Sequence, residues 1–165
     1  MPRLPRVVIG LTLLILLAAS GERSEAARKE LARRNIAFRV ESLFAAARQG
    51  DASVVTLLLT AGMSPNAKDR RGTTALIWAA EFGHTATAKL LLDRGADVQA
   101  QTTDTRWTAL MLAASRGHAD TVRLLLEHGA GVHAKTKDGR TALMLAVGSN
   151  HTAVMQLLKR AGAKE

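Results

Sequence analysis

The chain has 165 residues, 47% of them apolar and 3% aromatic, and carries a formal charge of +9 at pH 7. That length is typical of one domain, and the lack of cysteine excludes a disulfide framework, a thiolate zinc site and a thiol nucleophile. The few aromatic residues exclude a base-stacking platform, so the apolar fraction comes mainly from alanine and leucine, which favour short, closely packed helices. The positive charge suggests nucleic acid or an anionic surface as a partner until it is placed along the chain.

The N-terminal segment has the three parts of a secretory signal peptide. Residues 1–6 carry two arginines and no acidic residue, residues 7–17 are uncharged, and residues 18–21 are all small. A membrane-spanning helix needs about 18–20 apolar residues, which is longer than this uncharged stretch. The sequence therefore predicts a signal peptide over residues 1–20, with an uncleaved membrane anchor as the alternative.

The small residues before the first charges predict cleavage after Ser20, with cleavage near Ala26 as a later alternative. Removing residues 1–20 removes two arginines and lowers the formal charge to +7. Part of the basic charge is thus assigned to the export signal. An exported chain without cysteine can fold in an oxidising or a reducing compartment, and we expect a bacterial periplasm.

Residues 21–39 form a charged extension that does not match the rest of the chain. Its alternating basic and acidic residues predict a solvent-exposed helix or a spacer. A membrane-surface helix is the weaker alternative, because the segment offers little apolar face.

From residue 40 onward the sequence repeats with a period of 33 or 34 residues. Each copy has an Ala- and Leu-rich segment, then a leucine cluster, then a glycine. The four copies cover about 40–68, 69–101, 102–135 and 136–165.

Each copy predicts a helix, a turn and a second helix. Thr74, Thr108 and Thr141 stand where a side-chain oxygen can cap the first helix. The first helix of the first three copies ends at a glycine, namely Gly50, Gly83 or Gly117. The second ends at Gly62, Gly95, Gly129 or Gly162. Helices this short are marginal alone, so the copies must stack into one continuous core.

Several motifs in register resemble the ankyrin repeat. They are Asp-Arg-Arg-Gly-Thr-Thr-Ala-Leu over 69–76, Ala-Ala-Glu-Phe-Gly-His over 79–84 and Leu-Leu-Leu-Asp-Arg-Gly-Ala-Asp-Val over 90–98. Related strings recur in the third and fourth copies. The resemblance covers roughly 125 residues and implies an all-α solenoid of stacked helix-turn-helix units with β-hairpin-like loops. A tetratricopeptide array has a similar period, but its tryptophan and tyrosine pattern is missing.

The chain departs from the family pattern at several positions. The usual proline after the capping threonine is alanine, and the usual histidine two residues further on is Ile77, Met111 or Met144. We therefore expect adjacent copies to depend more on apolar packing. Asn150 and Lys159 in the last copy predict a polar outer cap. The third copy has one extra residue and Arg106 in place of the turn glycine, which predicts a longer, differently shaped hairpin.

The histidines do not form a convincing metal site. Three of them recur at one repeat position, and stacked helices lie about 8–10 Å apart, whereas zinc needs ligand nitrogens about 2 Å from one ion. We interpret His84, His118 and His151 as turn histidines bonded to backbone groups. His128 and His133 have no matching carboxylate cluster nearby in the sequence. The chain has no phosphate-binding glycine loop or serine nucleophile elbow, so we predict no enzyme, no metal and no cofactor.

The resemblance implies a concave groove formed by the hairpin tips and the adjoining first helices. Five of the tip positions are Lys or Arg, and arginine and aromatic side chains dominate many interfaces. Trp107 is the best single anchor, with packing over the lengthened loop as its alternative role, whereas Trp78 is interpreted as packing. The predicted partner-binding residues are Arg70, Arg71, Thr73, Glu81, Phe82, Thr105, Arg106, Trp107, Ser115, Arg116, Lys137, Asp138 and Arg140.

The leading hypothesis is an exported, monomeric module that binds another protein through this groove without catalysis and favours a partner with an acidic or polar surface. Whether it acts as inhibitor, stabiliser or scaffold is left open by the sequence, as is the partner's identity. The alternatives are electrostatic binding to an anionic surface and a membrane-associated adaptor held by an uncleaved signal. Nucleic acid is disfavoured as a partner, because the positive charge is spread along the chain and forms no dense patch.

Overall fold

A computed structural model describes residues 6–164, with side chains from residue 19 onward. Within this part of the chain there are nine α-helices. They are α1 Arg6–Arg33, α2 Val40–Gln49, α3 Ala52–Thr60, α4 Ala75–Glu81, α5 Thr85–Asp93, α6 Ala109–Arg116, α7 Ala119–Glu127, α8 Ala142–Gly148 and α9 Thr152–Arg160.

The helices after α1 form two parallel rows. The inner row contains α2, α4, α6 and α8, and the outer row contains α3, α5, α7 and α9. Each helix packs against its partner in the same copy and against the equivalent helices of adjacent copies. The described residues contain one isolated antiparallel bridge, between Gln101 and Thr108, and no longer strand. The all-α repeat solenoid predicted from the sequence is confirmed.

The predicted helix boundaries are confirmed in detail. The hydroxyl oxygens of Thr74, Thr108 and Thr141 each accept a hydrogen bond from the backbone N–H three residues later, at the start of α4, α6 and α8. The glycine after each outer helix adopts a positive φ, from 79° at Gly129 to 103° at Gly62. This left-handed conformation lets the chain turn away from the helix axis at little cost for glycine.

One hydrophobic core runs the length of the array. It consists mostly of alanine and leucine, because the inner helices approach closely through small side chains and the leucines of the outer helices cover them. The bulkiest fully buried side chains recur at equivalent positions, including Leu43, Leu76, Leu110 and Leu143 on the inner helices and Leu58, Leu91, Leu125 and Leu158 on the outer ones.

The charged extension is helical up to Arg33 and most of its side chains are exposed, as the first of the two predicted alternatives had it, but the helix also packs against the first repeat. Its residues up to Arg33 form the second half of α1, in which Ala27 and Leu31 are buried. The Ser24 hydroxyl and the Arg28 guanidinium both donate hydrogen bonds to the carbonyl of Ala61, at the end of α3. The sequence prediction considered only the charged side of this helix and missed the Ala-x-x-x-Leu stripe that α3 covers.

The direction of α1 distinguishes it from the outer helices. Ser24 of α1 bonds to Ala61 at the end of α3, whereas Arg34, just after α1, reaches Ser53 at the start of α3. It therefore runs antiparallel to α3. By contrast, the hydroxyls of Thr85 and Thr121, in the first turns of α5 and α7, lie 2.8 Å apart, so those two helices run parallel. α1 closes the outer row as a reversed capping helix.

Turn histidines connect successive repeats. Each turn histidine donates from Nε2 to a backbone carbonyl near the end of the inner helix of the preceding repeat, over 3.0–3.1 Å. The pairs are His84 with Arg48, His118 with Glu81 and His151 with Ser115. The interpretation of these residues as backbone-bonded turn histidines is confirmed. Their hydrogen bonds also connect adjacent repeats, which the expectation of mainly apolar packing between copies did not include.

The last repeat exposes apolar side chains on α8 beside the polar residues from which an outer cap was predicted. Met144 and Val147 are 45% and 49% exposed, whereas Ile77 and Met111, which occupy the same repeat position as Met144, are 1% and 0% exposed. In the second and third copies, the inner helix of the following repeat covers this face. Asn150 and Lys159 are exposed, as predicted.

The predicted signal peptide remains a prediction. Residues 1–5 and the side chains of residues 6–18 lie outside the described part of the chain. In the described part, no helix combines the length and the apolar character needed to cross a membrane.

Candidate protein-binding groove

The hairpin of the second copy is held by one carboxylate. Asp69 Oδ1 accepts hydrogen bonds from the backbone N–H groups of Arg71 and Thr73, both at 2.8 Å. The turn closes through Gly72, whose φ is 74°. A Cβ at Gly72 would lie 2.5 Å from the hydroxyl of Thr103 in the next hairpin. Glycine is therefore required here both by the backbone conformation and by the close approach of the neighbouring loop.

The hairpin of the third copy is longer, as predicted. Its closing backbone bond joins Thr102 to Trp107, five residues apart, whereas the second hairpin closes between Asp69 and Thr73, four residues apart. Arg106 adopts a φ of 58°, a left-handed conformation that is costly for a residue with a side chain. Its guanidinium Nε donates to the Gln101 side chain over 3.3 Å.

The three hairpins form a continuous edge along the groove. The backbone N–H of Thr103 donates to the carbonyl of Arg71 over 2.8 Å, and that of Lys137 donates to the carbonyl of Thr105 over 2.9 Å. Because each hairpin is bonded to the next, the side chains at the tips are held in a fixed order along the array.

The predicted partner-binding residues fall into three groups by exposure. Glu81, Trp107 and Ser115 are half-buried, and Thr73 is buried with 8% of its surface exposed. The exposed ones are Arg70, Arg71, Phe82, Thr105, Arg106, Arg116, Lys137, Asp138 and Arg140.

A cavity of about 360 Å³ lies between the second and third repeats and brings five of these predicted residues together. Trp78, Ile77 and Leu112 complete its lining together with Thr102. The sequence prediction assigned Trp78 to packing alone, and the residue is indeed packed against the core while also lining this cavity. The predicted residues in the lining are Arg71, Thr73, Glu81, Thr105 and Trp107.

Trp107 also lines a second cavity, on the side of the fourth repeat. This cavity, of about 310 Å³, includes Lys137, Asp138 and Arg140. The guanidinium carbon of Arg140 lies 6.0 Å from the centre of the Trp107 ring, at the outer limit of a cation–π contact. Trp107 therefore packs partly against the core and also lines the groove, and its role as an anchor for a partner stays a prediction.

Phe82 belongs to a separate aromatic cluster at the junction of the first two repeats. Its ring stacks near Trp78 and His84, with centroid distances of 6.3 and 6.4 Å. The guanidinium of Arg48 lies 5.7 Å from the Phe82 ring and 5.9 Å from the Trp78 ring. The sequence prediction missed Arg48, because nothing in its own copy indicates that it reaches the next repeat.

Ion pairs engage only some of the charges around the groove. Arg116 pairs with Glu81 at 2.7 Å and Arg140 pairs with Asp138 at 2.6 Å, whereas Arg71 lies 4.0 Å from Asp104. The Thr136 hydroxyl and then Arg140 hold the pKa of Asp138 below its usual value, so this carboxylate is charged at neutral pH.

Metal-ligating side chains do not cluster in the described part of the chain. There, no three histidine or acidic side chains are grouped so that they could hold an ion. His128 Nδ1 lies 2.9 Å from the carbonyl of Leu124 within its own helix, and His133 is exposed. What the site offers is a surface of aromatic, apolar and basic side chains suited to binding.

The stacked pairs of antiparallel helices joined by hairpins define a helical repeat protein. The family profile described as Ankyrin repeats (3 copies) matches residues 14–102 and 95–164. The chain belongs to the ankyrin-repeat family. Ankyrin repeats generally mediate protein–protein interaction, and the family is generally non-catalytic.

Curated relatives share the repeats over different spans. An ankyrin repeat-containing protein of Treponema pallidum (strain Nichols) is 37% identical over 142 residues, which cover 86% of this chain and 48% of that protein. An ankyrin repeat-containing protein of Schizosaccharomyces pombe is 36% identical over 63 residues, 38% of this chain and 30% of the relative. Acyl-CoA-binding domain-containing protein 2 of Arabidopsis thaliana is 34% identical over 59 residues, 36% of this chain and 17% of the relative. The chain thus spans about half the length or less of these relatives.

Proposed function

We propose that this chain is an exported, monomeric module that binds another protein without catalysis through the groove lined by the hairpins and inner helices. The observation that carries the proposal is the cavity between Trp78 and Trp107, bordered by Arg71. Large aromatic and arginine side chains in a preformed depression are typical of the residues that dominate binding energy at protein interfaces.

Rigid placement of the groove supports this function. The hairpins are bonded to each other through their backbones, and the inner helices beneath them share one core. A surface held in this way loses little conformational freedom when a partner binds, which favours affinity. Export is proposed from the N-terminal sequence, and cleavage after Ser20 would keep in the mature chain the hydrogen bonds of Ser24 and Arg28 to Ala61 at the end of α3.

Affinity capture from the native exported fraction tests the binding function. Wild type is compared with Trp107→Ala and Arg71→Glu, and Arg160→Glu serves as the control because it makes the same charge change at the end of α9. We expect a protein recovered by wild type and by the control, with recovery reduced at least tenfold for the two groove variants. Equal recovery by all four proteins would contradict binding through the groove.

Cell fractionation followed by N-terminal sequencing tests the export proposal. The expected mature chain begins at Gly21 and is found outside the cytoplasm. A cytoplasmic chain that retains its first twenty residues would contradict export, and a membrane-bound chain with these residues would identify the anchored alternative.

A further inference from the structure

Both tryptophans of the chain line one cavity. Trp78 comes from the inner helix α4 and Trp107 from the hairpin of the following repeat, so the two indoles flank the junction of the second and third repeats. Ile77 and Leu112 add apolar surface. A volume of about 360 Å³ is at the small end of ligand pockets. It suits one or two side chains of a partner better than a cofactor.

The charged residues that line this cavity are Arg71 and Glu81, and Glu81 is paired with Arg116 at 2.7 Å, so Arg71 is the charge left open to a ligand. Arg71 is 75% exposed in its side chain, and its nearest carboxylate, Asp104, lies 4.0 Å away and is itself 65% exposed. At such exposure water screens the pair and makes it weak, so Asp104 does not prevent the Arg71 guanidinium from pairing with an incoming carboxylate.

The acidic side chains of the other hairpins are already engaged. Asp69 accepts two backbone hydrogen bonds within its own turn, and Asp138 is bound by the Thr136 hydroxyl and by Arg140. The hairpin segments 68–72, 101–107 and 135–140 contain seven basic and three acidic residues. The charge that remains available along the groove edge is therefore positive, on either side of the apolar cavity.

We propose that the cavity takes an apolar side chain from an extended segment of another protein, and that carboxylates flanking this side chain contact Arg71 and the neighbouring hairpin tips. The inference rests on the proposed protein-binding function and specifies the chemistry of the bound segment. Apolar surface at the centre and positive charge at the border match an acidic segment with one apolar anchor.

The two tryptophans provide a direct test, because any ligand of the cavity changes the surroundings of every indole in the protein. The probe is an acetylated and amidated nonapeptide with a central leucine between two pairs of glutamates and a serine at each remaining position. One control peptide has glutamines for the glutamates, and a second has glycine for the leucine. Fluorescence titration of the full chain at low salt measures each affinity.

We expect saturable binding of the glutamate–leucine peptide, with an affinity at least tenfold higher than that of either control peptide. Binding should weaken as salt rises, since the border contacts are charged and exposed. Arg71→Glu should reduce the affinity at least tenfold, whereas Arg160→Glu should leave it within twofold of wild type. Comparing peptides on the unmodified protein keeps the test independent of any folding defect in a variant.

Failure to bind the probe, or equal affinity for all three peptides, would overturn the proposed segment chemistry. The broader function is judged separately. If Trp107→Ala and Arg71→Glu still abolish capture of the native partner, the groove binds protein but not a segment of this kind.

Discussion

The internal junctions and the two ends of the array use the same repeat positions differently. At each internal junction a glycine after the inner helix faces a histidine of the next repeat, as Gly83 faces His118. At the last repeat the glycine position is Asn150, with φ 59°, and no described repeat follows to supply a histidine. Glycine is therefore needed at the internal junctions both for the left-handed turn and to leave room for the histidine ring of the next repeat.

The first repeat shows the complementary change. Asp51 occupies the position of the turn histidines, but the described part of the chain has no inner helix of an earlier repeat whose carbonyl a histidine could reach. Its carboxylate instead accepts hydrogen bonds from the backbone N–H groups of Ser53 and Val54 and caps α3 within its own repeat. At this position the later repeats carry a histidine that bonds to the preceding repeat, whereas the first repeat carries an aspartate that caps its own outer helix.

The largest expected contrast is between Met111→Ala and Met144→Ala, which make the same change at one repeat position. Met111 is fully buried, so its truncation should lower the free energy of unfolding by about 2–5 kcal/mol. Met144 is half exposed, and its truncation should cost less than about 1 kcal/mol. Urea denaturation of both variants measures the difference. Similar losses would show that the end of the array is covered in solution.

The next contrast concerns glycines with the same backbone conformation but different surroundings. At Gly117 a Cβ would lie 2.6 Å from the Nδ1 of His151, whereas at Gly129 it would meet nothing within 4 Å; both have a φ of 79°. Alanine at Gly129 should cost about 1–2 kcal/mol from backbone strain alone. Alanine at Gly117 should cost about 2–4 kcal/mol, because the histidine bond is disturbed as well. Equal urea midpoints for the two variants would contradict the steric role assigned to the junction.

The tie itself can be removed by His118→Ala. The carbonyl of Glu81 would then lose the hydrogen bond that it accepts from Nε2 over 3.0 Å, at an expected cost of about 1–2 kcal/mol. His133→Ala is the matched control, since His133 is exposed and should change stability by less than about 0.5 kcal/mol. Thermal unfolding of both variants gives the comparison. Indistinguishable melting temperatures would mean that the histidine bond adds nothing measurable to the apolar packing and the hydrogen bonds between hairpins.

The smallest expected effect is at the self-capped first repeat. Asp51→Ala should cost about 1 kcal/mol at pH 7 through loss of the helix cap, whereas Asp51→Asn keeps an acceptor and should cost little. Hydrogen bonds from Val54 and Ser53 outweigh the opposing effect of burial and lower the pKa of Asp51. The stabilisation is therefore present above the unfolded-state pKa of about 3.9 and is lost as pH falls through the lower folded-state pKa.

Urea denaturation at pH 7 and pH 3 tests this sign. The gap between wild type and Asp51→Ala should narrow at pH 3, while the gap between Asp51→Asn and Asp51→Ala should stay nearly constant. A wild-type advantage that grows at low pH would be inconsistent with a depressed pKa.

Much of the fold could be predicted because the same capping and turn residues recur at the same positions in each copy. The capping threonines, the glycines after the outer helices and the longer third hairpin all follow from short-range rules, and the structure confirms them. The recurring Gly-His pairs, flanked by Gly50-Asp51 and Asn150-His151 at the ends, were a signal for the histidine ties. The 33- or 34-residue period shows that these histidines recur, but it does not show which backbone carbonyl each one reaches.

The groove was predicted only in part. Arg71 lies at an exposed hairpin tip, as predicted, but Trp107 lies at the closing pair of its hairpin and is half-buried, and the cavity that both line also depends on Trp78 and Leu112. These residues belong to different copies, so no local pattern relates them. Burial of Thr73 within the same hairpin likewise depends on how closely the next loop approaches.

The sequence by itself determined the period, the helix boundaries and the family, since these depend on the spacing of threonine, leucine and glycine within one copy. The tertiary structure alone decided how equivalent residues differ. Stacking buries Met111 and leaves Met144 exposed, turns α1 back along α3 as a reversed cap, and brings two tryptophans from adjacent repeats to one cavity. The physical reason is that burial and contact in a stacked array are properties of a residue's neighbours, which lie about one repeat away along the chain.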